Sequence, residues 1–139
     1  MARTLNMKFI RYLNLFEKIT RIRVQHCFNY NSTIIFVVPP QLISKALGEG
    51  GKNVKRLSEI LEKRVKVIAL PFGKNDIEKF ILAIIYPLKI KGIDTREGAL
   101  IINAGMQSKA ALIGRNKIRL GEMKEILEQY FGIKDVKIL

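Results

Sequence analysis

Between Lys8 and Thr20, apolar residues fall at positions 9, 10, 12, 13, 15, 16 and 19, a spacing that predicts an amphipathic helix. "RIRVQHCF" (21–28) then reads as a strand piece, and "TIIFVV" (33–38), apolar throughout, reads as a strand buried on both faces. Pro39-Pro40 turns the chain into a short helix ending at Gly48, a longer amphipathic helix begins near Lys52, and "VKVIAL" (65–70) closes the series as a strand.

The same succession returns. A helix is expected over Asp76 to Tyr86, capped by Asp76 and ended by Pro87; "LKIKGI" (88–93) and "ALIINA" (99–104) follow as strands. A helix starting near Met106, a joint at Gly114, a long helix and the strand "DVKIL" complete the set. An offset of 66 residues lays Leu47 and Gly48 on Ile113 and Gly114. It also lays Val54, Leu57, Ile60 and Leu61 on Leu120, Met123, Ile126 and Leu127, and Leu15, Phe16 and Ile19 on Ile81, Leu82 and Ile85. Three segments of different period in one register indicate two copies of one α+β unit, residues 1–73 and 74–139, each ordered helix, strand, strand, helix, helix, strand. The connection "PFGKND" (71–76) is short and lacks a Gly/Ser tract, so a fixed mutual orientation is expected.

Charge turns this scaffold toward a polyanion. Of 139 residues, 25 are Lys or Arg and 12 are Asp or Glu, for a net +13 and a pI of about 10.1. Nucleic acid is the first partner such an excess suggests, and an anionic membrane surface the second. Residues 1–73 carry 13 basic and 4 acidic side chains, a net +9, against 12 and 8, a net +4, for residues 74–139. The first copy is therefore expected to dominate affinity. The longest apolar run, "FILAIIYPL" (80–88), is far short of the roughly 20 residues a membrane span needs, and no signal peptide opens the chain, so a cytoplasmic protein is expected. Cys27 has no second cysteine to pair with, and with His26 alone beside it the soft ligands are too few for zinc; no metal or other cofactor is expected.

Candidate chemistry gathers at the joint "ALGEGGKNVKRL" (46–57). Glycines at 48, 50 and 51 let the backbone take positive φ and approach a ligand closely, and the next helix presents unpaired N–H groups and its positive dipole end there. Lys52, Asn53, Lys55 and Arg56 sit in its first turns. The loop lacks the Gly-Lys-Ser/Thr ending of a P-loop and lies between helices rather than after a strand, which disfavours nucleotide hydrolysis and dinucleotide binding. The simpler reading, a helix joint flanked by solvated lysines, stays open on the loop alone. Acids at 59 and 62, and at 122, 125 and 128, are accounted for by solvated pairs with Lys55, Lys63 and Lys124. Ser44, Ser58 and Ser108 lack an activating partner, and no catalysis is expected. Arg11, Lys18, Arg21 and Arg23 lie on or just after the first helix and suggest a membrane-surface face, but the apolar side of that helix is needed to cover the sheet; these charges are expected to extend a nucleic-acid path or to meet an acidic protein.

"LGEGGKNVKRLSEIL" resembles the Gly-x-x-Gly loop and following helix of the K-homology RNA-binding domains. The helix and strand placed before the strand-helix-helix-strand unit look like the type II arrangement, and a tandem pair over residues 7–139 resembles the archaeal NusA-like transcription factors. The resemblance implies two three-stranded sheets, each covered by helices on one face, and a non-catalytic, monomeric protein. It implies binding of single-stranded RNA in transcription elongation and termination, about four nucleotides per domain. RNA polymerase or other transcription factors stand as candidate protein partners. Carried over residue by residue, the first clamp is Gly48, Glu49, Gly50 and Gly51, supported by Lys52, Asn53, Lys55 and Arg56, with Ile43, Leu47 and Ile35 beneath the bases. The second is Gly114, Arg115, Asn116 and Lys117 with Arg119. Glu49 brings a negative charge where phosphate is to approach, and Lys117 replaces the last glycine, at a cost of about 1 kcal/mol if positive φ is needed there. A protein-docking module of the transcription or translation machinery is the competing expectation.

Overall fold

A computed structural model describes residues 7–139; residues 1–6 of the first expected unit lie outside the described residues. The chain divides into two compact units, the first ending at Leu70 and the second running Pro71–Leu139. In the first unit α1 (Met7–Thr20) precedes β1 (Cys27–Tyr30), β2 (Thr33–Val38), α2 (Ile43–Leu47), α3 (Lys52–Leu61) and β3 (Arg64–Ala69). The second repeats the order with α4 (Ile77–Ile85), β4 (Gly92–Arg96), β5 (Ala99–Asn103), α5 (Met106–Ile113), α6 (Ile118–Phe131) and β6 (Asp135–Ile138). Each sheet is mixed: the central strand pairs antiparallel with the strand before it and parallel with the last. No helix among the described residues is long and apolar enough to cross a membrane.

Both early strands start later than expected, and their hairpin turns explain it. Asn31 and Ser32 take φ of 52° and 58°, and Glu97 and Gly98 take 49° and 80°. Positive φ at both central residues makes a two-residue turn whose twist suits a hairpin, so pairing begins at Tyr30↔Thr33 and Arg96↔Ala99 and runs outward from there. Ile22 and Val24 do alternate, buried against exposed Arg21 and Arg23, but they precede the ladder, which reaches only to Cys27↔Phe36. Cys27 is buried in β1 and His26 is exposed.

The core of the first unit sits between the sheet and its helices. Ile34, Phe36 and Val38 present alternate positions of β2 to Tyr12 and Phe16 of α1, Ala46 of α2 and Leu57 of α3. Phe16 stacks on Phe36 with ring centres 4.3 Å apart, a contact worth about 1 kcal/mol beyond the area it buries. In the second unit Leu100, Ile102, Leu112, Met123 and Leu127 are buried, and Phe80 meets Tyr130 and Phe131 at 5.0 and 5.7 Å.

The 66-residue offset holds through both hairpins and both joints but fails at the ends. Fully buried Phe16 would fall on Leu82, which is 36% exposed, whereas the matching buried position is Ile81, an offset of 65. At the last strand Thr33↔Arg64 corresponds to Ala99↔Asp135, an offset of 71, because α6 has 14 residues against 10 in α3 and the connection after it, 132–134, is one residue longer than 62–63. Asp76 does not cap α4 with its side chain; a 3-10 turn over Lys74–Asp76 intervenes, and its carboxylate accepts the Phe72 N–H at 2.9 Å. Lys124 pairs with Asp135 at 3.7 Å rather than with a helical neighbour. Ser58 and Ser108 donate to backbone carbonyls of Lys63 and Lys89.

Candidate nucleic-acid interface

Each helix joint is built from the inside of the turn outward. Gly48 ends α2 with its N–H on Ser44 O (3.1 Å), and the Gly51 N–H returns to Gly48 O at 3.0 Å. Gly114 and Lys117 repeat both bonds, to Ala110 O at 2.9 Å and Gly114 O at 3.1 Å. The backbone angles repeat as well: Gly48 lies at φ 77°, ψ 168° and Gly114 at 76°, 167°; Gly50 at 63°, 18° and Asn116 at 56°, 27°; Gly51 at 75°, 19° and Lys117 at 61°, 25°. Two different sequences therefore hold one loop conformation.

Space decides which glycine is indispensable. A Cβ on Gly48 would lie 2.8 Å from Asn53 Cγ, and one on Gly114 would lie 2.8 Å from the Arg119 backbone nitrogen. Positive φ and crowding together exclude a side chain at the first position. At Gly50 and Gly51 a Cβ would meet nothing within 4 Å, so only φ matters. Asn tolerates that region, and a lysine enters it at about 1–2 kcal/mol. Lys117 thus keeps the geometry of the joint, and its side chain stands in solvent.

The expected site residues separate into two groups. Glu49, Gly50, Lys52, Lys55 and Arg56 are exposed around the first joint, and Arg115, Asn116 and Lys117 around the second, while Gly48, Gly51 and Gly114 form the half-buried floor. Asn53 and Arg119, matching positions in the first turn of α3 and α6, instead fold back onto the structure. Asn53 donates to Lys45 O at 3.3 Å, tying the end of α2 to the start of α3. The Arg119 guanidinium pairs with Glu122, the two side chains only 20% and 26% exposed. Ile43 and Leu47 are half-buried beside the first joint, but Ile35 is fully buried and cannot support a base.

Charge is laid out in opposite ways on the two joints. In the first, the loop carries Glu49 and the cations stand on the helix at 52, 55 and 56; in the second, Arg115 and Lys117 are on the loop and the matching helix positions are Ile118, Gly121 and Glu122. Ile118 is 50% exposed next to Lys117, an apolar residue that sequence reasoning passed over. Its signal was there: it is out of phase with Leu120, Met123 and Leu127, the positions that turn inward.

Fold and site together define a class: a basic chain of two α+β units, each presenting the same glycine-led joint between helices. No protein-family model matches it. The chain is 25% identical over 139 residues to the "Probable transcription termination protein NusA" of Methanococcus vannielii, covering 97% of this chain and 79% of that protein. Proteins of the same name from Methanocaldococcus jannaschii and Halococcus morrhuae are 25% and 24% identical, over 94% and 97% of this chain and 72% and 97% of theirs. Among solved structures, the crystal structure of APE1850 superposes with a TM-score of 0.66 at 26% identity, over 97% of this chain and all of that one. The chain is NusA-like along nearly its whole length.

Proposed function

We propose that this is a non-catalytic, archaeal NusA-like factor of transcription elongation and termination, built of two type II K-homology domains that bind single-stranded RNA. The observation that carries the reading is the pair of joints with one backbone conformation and different side chains, set in a chain of charge +13. A conformation kept through the change from Gly-Gly to Asn-Lys points to the backbone itself as the working part. The similarity to proteins named for transcription termination supplies the process.

At the first joint, a phosphate comes up against the glycine backbone and the N-terminal N–H groups of α3, with Lys52, Lys55 and Arg56 neutralising its neighbours and Ile43 and Leu47 lying beneath the bases. At the second, Arg115 and Lys117 meet the phosphate from the loop itself. Nothing in this scheme calls for a cofactor, and the chain acts as a cytoplasmic monomer. Changing Gly50 and Gly51 together to Asp tests it: room exists for both side chains and Asp tolerates positive φ, so far-ultraviolet circular dichroism stays as it was. RNA affinity should fall by at least about tenfold, since two carboxylates then face the phosphates. Unchanged affinity would reduce the first loop to a helix joint.

A further inference from the structure

We infer that the end of α1 holds a second phosphate-binding site in the first unit, taken by RNA that extends past the clamp; the inference rests on the RNA reading above. Asn14, Glu17, Lys18, Arg21 and Arg23 line one open cavity of about 630 Å³. Helical spacing brings Asn14, Glu17 and Lys18 to one flank. Thr20 is buried and fixes the exit of the chain: its hydroxyl donates to Phe16 O at 2.7 Å and accepts the Ile22 N–H at 3.1 Å. Ile22 and Val24 then go into the core, so Arg21 and Arg23 come out together. Glu17 reaches Arg23 only at 3.9 Å, with the side chains 53% and 88% exposed, so that pair is loosely held.

Arg21 is the telling residue. It sits just past the helix end at φ 63°, its N–H on Glu17 O at 2.8 Å, the place and conformation where glycine usually ends a helix without strain. An arginine kept in a left-handed conformation argues for a use of its side chain. One cation suffices to answer the helix dipole; here three surround one cavity with a single carboxylate. Guanidinium forks match phosphate oxygens bidentately, and the site lies in the unit with the larger positive charge. Carboxylates fit the same forks, so it is the RNA clamp proposed in the same unit, together with that unit's net +9, that favours a phosphodiester backbone over an acidic protein.

The test uses the full chain with a 20-nucleotide single-stranded RNA and a tetranucleotide of the same composition. Arg21→Gly should melt no lower than the wild type, since glycine relieves the backbone. It should nonetheless bind the 20-mer about three- to tenfold more weakly, with the salt slope of log affinity shallower by about 0.7, one single-strand phosphate contact. Lys18→Ala/Arg23→Ala should do the same, and the tetranucleotide, held at the clamp, should be unaffected. Unchanged 20-mer affinity and slope in both variants, while Gly50→Asp/Gly51→Asp still weakens binding, would overturn the second site and leave the clamp standing. A wild-type chain that bound neither RNA would instead remove the RNA reading itself. Variants that lost poly-glutamate binding but kept RNA binding would also overturn the site, reassigning it to an acidic protein.

Discussion

Lys117 stands where Gly51 stands, both left-handed, and this one exchange separates what the backbone needs from what a ligand gains. Lys117→Gly should stabilise the fold by about 1 kcal/mol, because glycine takes that φ freely. The same variant should lose RNA affinity and show a salt slope shallower by about 0.7; equal slopes would mean that no phosphate reaches Lys117. Lys66 provides a prediction about stability alone. It is half-buried on β3, and burial holds its amine below the ordinary 10.5. Between its folded value and 10.5 the unfolded chain binds more protons than the folded one, so stability rises with pH across that window. In urea melts, Lys66→Met should be the more stable protein at neutral pH, and its advantage should shrink as pH climbs toward 10.5. An advantage independent of pH would show that desolvation of the charge is not the cause.

At the scale of elements, the helices were legible because their apolar spacing survives any context: α1, α3 and α5 begin within a residue of where the pattern puts them. The first strands were not, since alternation at Ile22 and Val24 reports burial, while a ladder needs a partner, and its start is set by two turn residues, Asn31 and Ser32. The joints were found from glycine spacing. The inward turn of Asn53 and Arg119 was hidden, because a polar residue at a helix start looks the same whether it faces a ligand, ties two helices together as Asn53 does, or pairs along its own helix as Arg119 does. Opposite charge layouts on one backbone lead to a paired prediction. Glu49→Lys should tighten RNA binding and steepen its salt dependence, and Arg115→Glu should weaken it and flatten the slope. Matching null effects would place the phosphates away from both loops.

For the whole molecule, duplication is the main fact: two sheets with the same hairpin register, two joints with the same angles, and similarity to NusA proteins that spans both units. That duplication shows in the sequence as a 66-residue offset, although the true equivalence shifts to 65 in the opening helix and to 71 in the last strand. Periodicity could not see the first slip, because a one-residue shift in an apolar helix still lays apolar on apolar; the second follows from the greater length of α6, whose end the apolar spacing alone does not mark. Net charge of +13 indicates a polyanion but not its form, since phosphates of single strands and of duplexes attract lysines alike. The central claim is that these joints hold a single strand. Its most direct test is equilibrium binding of the full chain to single-stranded RNA, duplex RNA and duplex DNA of equal length at two salt concentrations. The account predicts that single-stranded RNA binds tightest at both, with a preference that persists at the higher salt. Equal affinities that vanish together as salt rises would contradict it.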